Sequence, residues 1–333
     1  MDRPYDIVSI GHVDNGILID RGRISRFTGG AVYYSSFAAK RSGARVCVVT
    51  KLNSRDLGIL DGMKAEGIDV CAIPSAHTTS VENIFDSEDV DNRRVNLLAQ
   101  ADPFTIEDIP QVKTLIYNLA GLFAGEFPGR LIEDLSARGA DIALDLQAML
   151  RHSENGRFSW RDWPEKHRYL PLITYLKADS LESEVITGSP DRDEAAVILH
   201  RWGAREVIIS HSSEVIAYVG TRIYRAPFNP GNLSGRTGRG DTVFIAYQAR
   251  RLTHGIQDAL DYAAALCSIK MESPGPFQGT MEDVLARIKG QALARQRQPC
   301  LPCLASKPAQ TVRRLGPTKA QPGGKRPPAR LKT

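Results

Sequence analysis

Short apolar runs alternate with amphipathic segments along the first 290 residues of this 333-residue chain, and that rhythm leaves few folds open. Segments 5–11, 45–50, 68–73, 114–118, 141–144, 172–176 and 206–210 read as buried strands, each short and rich in Val, Ile and Leu. Between several of them, segments 31–42, 54–66, 128–138 and 191–202 carry helical periodicity. Strand–helix alternation of this kind predicts a three-layer α/β domain, with a mostly parallel central sheet and helices on both faces. Two stretches break the rhythm. Segments 16–27 and 80–98 read as extended pairs joined by polar turns at 20–22 and 89–93, which predicts a small β-lid built from about 12–28 and 78–98. After Asp241 the chain turns helical, over 242–254, 256–271 and 280–289.

Charge divides the chain at the same place. Residues 291–333 hold ten Lys or Arg and no Asp or Glu, which leaves 33 basic and 38 acidic residues in 1–290. The overall net charge of +5 therefore belongs to the tail, and the body is net acidic. An acidic body argues against nucleic acid as a partner. The tail is rich in Pro and basic residues and lacks an apolar period, so it is expected to be disordered. Cys300 and Cys303 have CxxC spacing but no second pair or nearby His, which weakens a zinc or redox reading. Cys47, Cys71 and Cys267 lie in apolar surroundings and read as core residues of a reducing compartment. No run of 18 apolar residues exists, and the first residues lack the pattern of a signal peptide, so no membrane partner and a cytoplasmic location are expected.

The sharpest chemical signal is Gly235-Arg236-Thr237-Gly238-Arg239-Gly240-Asp241-Thr242, followed by a helical pattern. Glycines at 238 and 240 let the backbone bring its N–H groups close to a ligand, and a helix start adds the positive end of its dipole. An aspartate at such a mouth is costly beside phosphate unless it takes a proton from an attacking hydroxyl. The local pattern alone leaves two readings: an anion site with Asp241 as base, or a glycine turn with Asp241 as N-cap. It is neither a Walker A loop nor a dinucleotide fingerprint, because the spacing fits neither.

Several motifs in order resemble the ribokinase-type (PfkB) carbohydrate kinases over about residues 5–288. Phe27-Thr28-Gly29-Gly30-Ala31 resembles the family's substrate-side diglycine. Lys177-Ala178-Asp179-Ser180-Leu181-Glu182 resembles its Asn-x-x-Glu motif, with Asp179 in place of Asn. Ser210-His211-Ser212 falls where a nucleotide-contacting Thr-x-Gly stands, and Pro274-Gly275-Pro276 where the adenine pocket is closed. Within the family the chain most resembles bacterial myo-inositol kinases, through Thr79-Ser80-Val81-Glu82-Asn83, Ala101-Asp102-Pro103-Phe104-Thr105, the 235–242 string, and Lys270-Met271.

The resemblance implies a ribokinase-like fold and transfer of a phosphoryl group from ATP to a hydroxyl of a small polyol, myo-inositol or a related cyclitol. Asp241 would be the base, with Gly238, Arg239 and Gly240 at the anion hole. Asp179, Glu182, Ser210, Ser212, Thr237, Gly238, Gly240 and Gly275 would bind ATP, and magnesium would be held through water by Glu182 and Asp179. On the acceptor side it implies Gly29 and Gly30. Further acceptor contacts are read from position. Asp14 is either a hydroxyl contact or a turn residue before Asn15-Gly16. Asn83, beside Glu82, either reaches the polyol or lies on a solvated strand face. Gln147 and Asp145 end a strand of the main sheet, where α/β ligands bind. Tyr34 replaces an Asn usual on the helix after the diglycine; separately, Gly235 and Arg236 replace the Asp-Thr tied to a monovalent cation, so potassium activation stays open. A sugar or nucleoside kinase uses the same machinery, and a non-catalytic relative or a nucleic-acid protein working through the tail are the other readings. Two chains joined through the lid are the expected assembly.

Overall fold

The computed structural model describes residues 5–85 and 94–297. The strands in chain order are β1 Ile7–Ile10, β2 Asp14–Asp20, β3 Arg23–Gly29, β4 Val46–Leu52, β5 Asp69–Pro74, β6 Ser80–Phe85, β7 Arg94–Ala99 and β8 Ile116–Leu119. They continue as β9 Asp141–Asp145, β10 Arg151–Glu154, β11 Arg157–Trp160, β12 Tyr175–Asp179, β13 Glu206–Ser210, β14 Glu214–Val219 and β15 Arg222–Pro227. The helices are α1 Ala31–Arg41, α2 Asp61–Ala65, α3 Gly129–Ala137, α4 Gln147–Leu150, α5 Lys166–Tyr169, α6 Ser180–Thr187, α7 Arg192–Arg201, α8 Arg239–Arg251, α9 Ile256–Met271 and α10 Met281–Arg297.

A nine-stranded sheet runs in the order β15-β14-β13-β12-β9-β8-β1-β4-β5. From β13 to β5 every neighbouring pair is parallel, while β14 and β15 close one edge as an antiparallel hairpin. Residue parity splits the core. Ile7, Val46 and Val48 pack with α1, α8 and α9 on one face; Val8, Ile10, Val49 and Leu144 pack with α3, α6 and α7 on the other. These are the expected three layers. The chain steps from β1 outward to β4 and β5, then returns to lay β8, β9, β12 and β13 on the other side. That reversal beside β1 creates the crevice at which open α/β sheets bind ligands.

The second sheet, β10-β11-β7-β6-β2-β3, is larger than the lid the sequence suggests. The segments 12–28 and 78–98 supply β2, β3, β6 and β7; the hairpin β10–β11 joins through β7. The turn expected at 89–93 lies outside the described residues. Two other elements are displaced. The strand expected at 172–176 begins at Tyr175, because Leu170–Leu172 with Pro171 forms a 3-10 turn. The segment 54–66 splits into a 3-10 helix Ser54–Leu60 and α2. The last helix also continues past residue 290, since Gln, Ala, Leu and Arg favour helix and no Gly or Pro follows Gly290 before Pro299. The rest of the tail, with Cys300 and Cys303, lies outside the described residues. Among the described residues no helix is long and apolar enough to cross a membrane.

Candidate active site

Asp145, Asp179 and Ser210 are the last residues of β9, β12 and β13, three adjacent strands of the main sheet. Parallel register therefore delivers them side by side to one carboxyl edge. Opposite them stands the start of α8, and between the two lies a cavity of about 440 Å³. Its walls include Gln147, Asp179, Glu182, Ser210, Thr237 and the turn 238–241. Nine of the residues singled out from the sequence thus meet in one place.

The α8 end of the cavity is shaped by glycine. Gly238 is the N-cap residue with φ 78°, a left-handed conformation, and a β-carbon there would overlap the Tyr34 ring of α1. The helix starts at Arg239, three residues before the sequence suggests, so Arg239, Gly240 and Asp241 form its first turn. Backbone N–H groups in a first turn lack partners four residues back inside the helix; here Arg239 N turns back to Arg236 O at 3.3 Å, and Gly240 N is left to meet an anion.

A charge network floors the cavity. Lys177, on an otherwise apolar strand and only 4% exposed, donates to Asp145 Oδ1 at 3.0 Å and to Glu182 Oε2 at 3.2 Å. Asp179 and Glu182 form a reciprocal capping box at the start of α6: Glu182 N donates to Asp179 Oδ1 at 2.8 Å, and Asp179 N to Glu182 Oε2 at 2.7 Å. Burial would lower the Lys177 ammonium, but Asp145 and Glu182, with Asp179 and Asp241 further off, outweigh it and hold the lysine charged. Asp241 borders the cavity yet loses most of its hydration to the surrounding protein. That burial, reinforced by repulsion from Asp145 and opposed by Lys177 and Lys270, raises its carboxyl to about 6. Such a group is ionised at neutral pH and basic enough to take a proton.

Asp179 and Glu182 both line the cavity, and each uses only one carboxylate oxygen in the capping box. Among the described residues no group of three acidic, His or Cys side chains is placed to chelate a metal directly. Two spare carboxylate oxygens suit magnesium, which keeps much of its water and takes further ligands from a phosphate substrate. The Ser210 hydroxyl, buried at the same wall, has no protein partner.

The remaining predicted residues stand elsewhere. Asp14, Gly29, Gly30 and Asn83 belong to the lid and the start of α1, outside this cavity. Asp14 is a structural link there: its Oδ1 accepts from Val81 N at 2.9 Å, joining β2 to β6, and its Oδ2 lies beside Gly29. Burial raises its carboxyl to about 7, against the opposing charge of Arg151. Asn83 is half-buried on β6, between Leu18 and Val95. Gly30 approaches the His12 carbonyl so closely that a β-carbon would lie 2.5 Å from it. Ser212 and Gly275 do not line the cavity. Ser212 sits exposed in the β13–β14 turn, its hydroxyl 3.3 Å from the His211 ring, because β14 folds back immediately after Ser210.

The sequence strings contain Lys177 and Lys270 but assign them no role, although a lysine inside an apolar strand or helix face is a visible signal of a buried partner. The His12–Glu126 pair beneath the crevice, fully buried with His12 Nδ1 3.5 Å from Glu126 Oε2, is not singled out by any such string. Glu126 Oε1 accepts from Leu122 N and Phe123 N, and Gln147 Nε2 donates to Gly121 O, so the loop after β8 is tied down on both sides.

Comparison with solved structures gives the same architecture. A pyrophosphate-dependent kinase of the ribokinase family, in complex with sulfate, is 34% identical with TM-score 0.79, over 84% of this chain and 99% of that one. A pyrophosphate-dependent kinase of the same family, complexed with a pyrophosphate analog and myo-inositol, is 33% identical with TM-score 0.78, over 84% and 99%. The ribokinase of Arabidopsis thaliana, complexed with ribose and ATP, shares the fold at 16% identity and TM-score 0.70, over 86% and 99%. No curated protein sequence matches the chain significantly. The model of the pfkB family carbohydrate kinases matches residues 6–282, and the chain belongs to that family.

Proposed function

We propose that this kinase transfers a phosphoryl group from inorganic pyrophosphate to a hydroxyl of myo-inositol or a closely related cyclitol, releasing phosphate. The observation that carries the choice of donor is the character of the cavity. Its walls are charged or polar, and Leu233 is the one large apolar side chain among the lining residues. Just before Pro274-Gly275-Pro276, which the resemblance assigns to adenine, the chain is bonded directly to segment 231–235. Gly235 N donates to Met271 O at 2.8 Å, Ser234 Oγ to Glu272 O at 2.7 Å and Gly231 N to Glu272 Oε1 at 2.6 Å. A compact polyanion matches such a site better than a purine does, and two relatives above 30% identity use pyrophosphate.

In this reading the backbone N–H groups at the start of α8 receive the transferring phosphoryl oxygens, with Arg239 adding charge. Asp241 takes the proton of the attacking hydroxyl as the new P–O bond forms and the bridging P–O bond of pyrophosphate breaks, the leaving phosphate carrying away the electron pair. Asp179 and Glu182 would hold magnesium through water, and the ion would offset the negative charge of the donor. The acceptor would lie toward the lid, near Asp14, Gly29, Gly30 and Asn83, with Gln147 at the wall of the donor cavity.

Phosphorus NMR of reactions containing myo-inositol and either pyrophosphate or ATP tests the donor. Pyrophosphate should turn over at least about tenfold faster, the size of preference a few lost contacts give. Turnover with ATP alone would overturn the donor while leaving a kinase. A panel of cyclitols, ribose, hexoses and nucleosides tests the acceptor in the same way.

A further inference from the structure

The anion-hole turn does not stand alone; it is docked on the end of α9. Three residues of α9 at helical spacing, Cys267, Lys270 and Met271, each bond the segment 235–239. Met271 O accepts from Gly235 N, and Cys267 Sγ reaches Arg239 O at 3.5 Å. Lys270 does the most. Its ammonium, on a residue only 2% exposed, donates to Gly235 O at 2.6 Å and also to Thr237 O. It also lies 5.1 Å from the centre of the Tyr34 ring, the ring on which Gly238 rests. Gly235 is what allows the docking, since a β-carbon there would collide with the Ser273 carbonyl.

We propose that Lys270 is the positioning residue of the anion hole: a cation carried by the chain itself, which gathers the carbonyls of Gly235 and Thr237 so that the following N–H groups point into the cavity. Carbonyl oxygens drawn toward one side of a loop leave its amide groups directed to the other, and a buried positive charge on the carbonyl side adds to the potential felt by a phosphoryl group. Burial is costly for an ammonium and pushes this one down to about 8, with Cys267 and Asp241 acting in the other direction. A buried lysine spent only on packing is poorly explained, because an apolar residue would fill the space at less cost. The proposal rests on the reading of 238–240 as the site of phosphoryl transfer.

The test uses the full chain with Lys270→Met, Lys270→Gln and Asp241→Asn, assayed with myo-inositol and whichever donor supports turnover. Lys270→Met should lower kcat about 10²-fold, the cost of one lost oxyanion contact, while acceptor KM stays within about threefold. Ammonium or methylammonium chloride should restore at least about tenfold of the lost rate, where choline chloride at equal ionic strength restores none. Lys270→Gln, neutral but able to donate, should fall between the parent and Lys270→Met, and it carries the test if the Met variant does not fold. The proposal is overturned if both neutral variants keep kcat within about threefold of the parent, or if acceptor KM rises in step with the fall in kcat and no small cation rescues it. Near-normal kcat for Asp241→Asn would remove the anion hole itself and the proposal with it; loss of activity there with unaffected Lys270 variants would overturn the role of Lys270 alone.

Discussion

The two sides of the crevice that we propose for donor and acceptor are built from different kinds of sheet. Asp145, Asp179 and Ser210 end strands whose preceding residues are buried and covered by helices on both faces. Asp14 and Asn83 lie in the lid, where β3 is exposed over most of its length and β7 has no buried residue. On the proposed donor side, carboxylates are held within the protein before any ligand arrives: Lys177 pairs with Asp145 and Glu182, and backbone N–H groups bond Asp179 and Glu182 in the capping box. On the acceptor side a single buried carboxylate, Asp14, is held by one backbone N–H from a neighbouring lid strand. The first arrangement suits a highly charged donor that needs fixed dipoles; the second suits a neutral polyol whose hydroxyls complete the hydrogen bonding when the lid closes.

The largest effect should come from the donor side. Asp241→Asn should lower kcat about 10²–10⁴-fold with donor affinity nearly unchanged, whereas an N-cap role predicts little change because Asn caps as well as Asp. The raised carboxyl at about 6 also fixes the sign of two further effects. The parent's kcat should fall as pH drops through 6, because the base becomes protonated. Ionised Asp241 costs stability, and that cost grows as pH rises from its unfolded value near 4 to 6, so at pH 7 the Asn variant should melt higher by ~2 °C.

The lid side should respond through the acceptor instead. Asp14→Ala should raise acceptor KM about tenfold or more, with donor KM near the parent's, as loss of a buried polyol contact predicts. Asp14 binds its proton more tightly folded than unfolded, so its contribution to stability falls as pH rises from about 4 to 7. Asp14→Asn should therefore match the parent's melting temperature at pH 4 and exceed it at pH 8. A kcat loss without a KM change would move Asp14 from the acceptor to the structure of the lid.

Gly235→Ala probes the joint that shapes the donor side. The new β-carbon meets the Ser273 carbonyl and must push the 235–237 segment off α9. A fall in kcat of about tenfold, with acceptor KM unchanged, is expected for a loop that aims the anion hole. Unchanged kinetics would show that the turn at 238–240 keeps its shape without α9.

The same contrast explains what the sequence makes legible. Strands of the main sheet announce themselves because both faces are buried, so each is an apolar run between turns. The edge strand β15 and the hairpin β10–β11 are more polar and escape that reading, while β14, EVIAYV, is as apolar as β13 and escapes it all the same. For β10–β11 the signal was present nonetheless: Asn155-Gly156, with φ 50° and 78°, is the turn pair that two-residue hairpins favour. At the site, Asp241, the glycines and the Asp179–Glu182 box are local in sequence and visible as strings. Lys177 and Lys270 are visible as residues, but their meaning depends on Asp145 and on the Gly235 and Thr237 carbonyls, more than thirty residues away in each case. Ser212 and Gly275 illustrate the reverse, since a motif's spacing cannot show that a hairpin turn or a zipped loop takes them out of the cavity.

The smallest effect should come from the tail. Val284, Leu285 and Ile288 of α10 precede residue 290 and pack on the core shared with α9. Removing everything after Arg297 leaves them, and the helix, intact. The remaining chain holds 35 basic and 38 acidic residues, so its net charge is −3 instead of +5. That change matters for a polyanionic donor only if the tail's charges lie within about a Debye length of the cavity, ~10 Å at 0.1 M salt. The expected outcome is a melting temperature within ~1 °C of the full chain and the same kcat and donor KM, at both low and moderate salt. A chain ending at Gly290 also loses the last two turns of α10 and should melt lower by no more than ~2 °C, since fraying helix ends contribute little. A donor KM that rises at low salt and returns to normal at high salt would instead show the basic tail capturing pyrophosphate. Measuring donor KM at two ionic strengths for the full chain and the chain ending at Arg297 separates these outcomes.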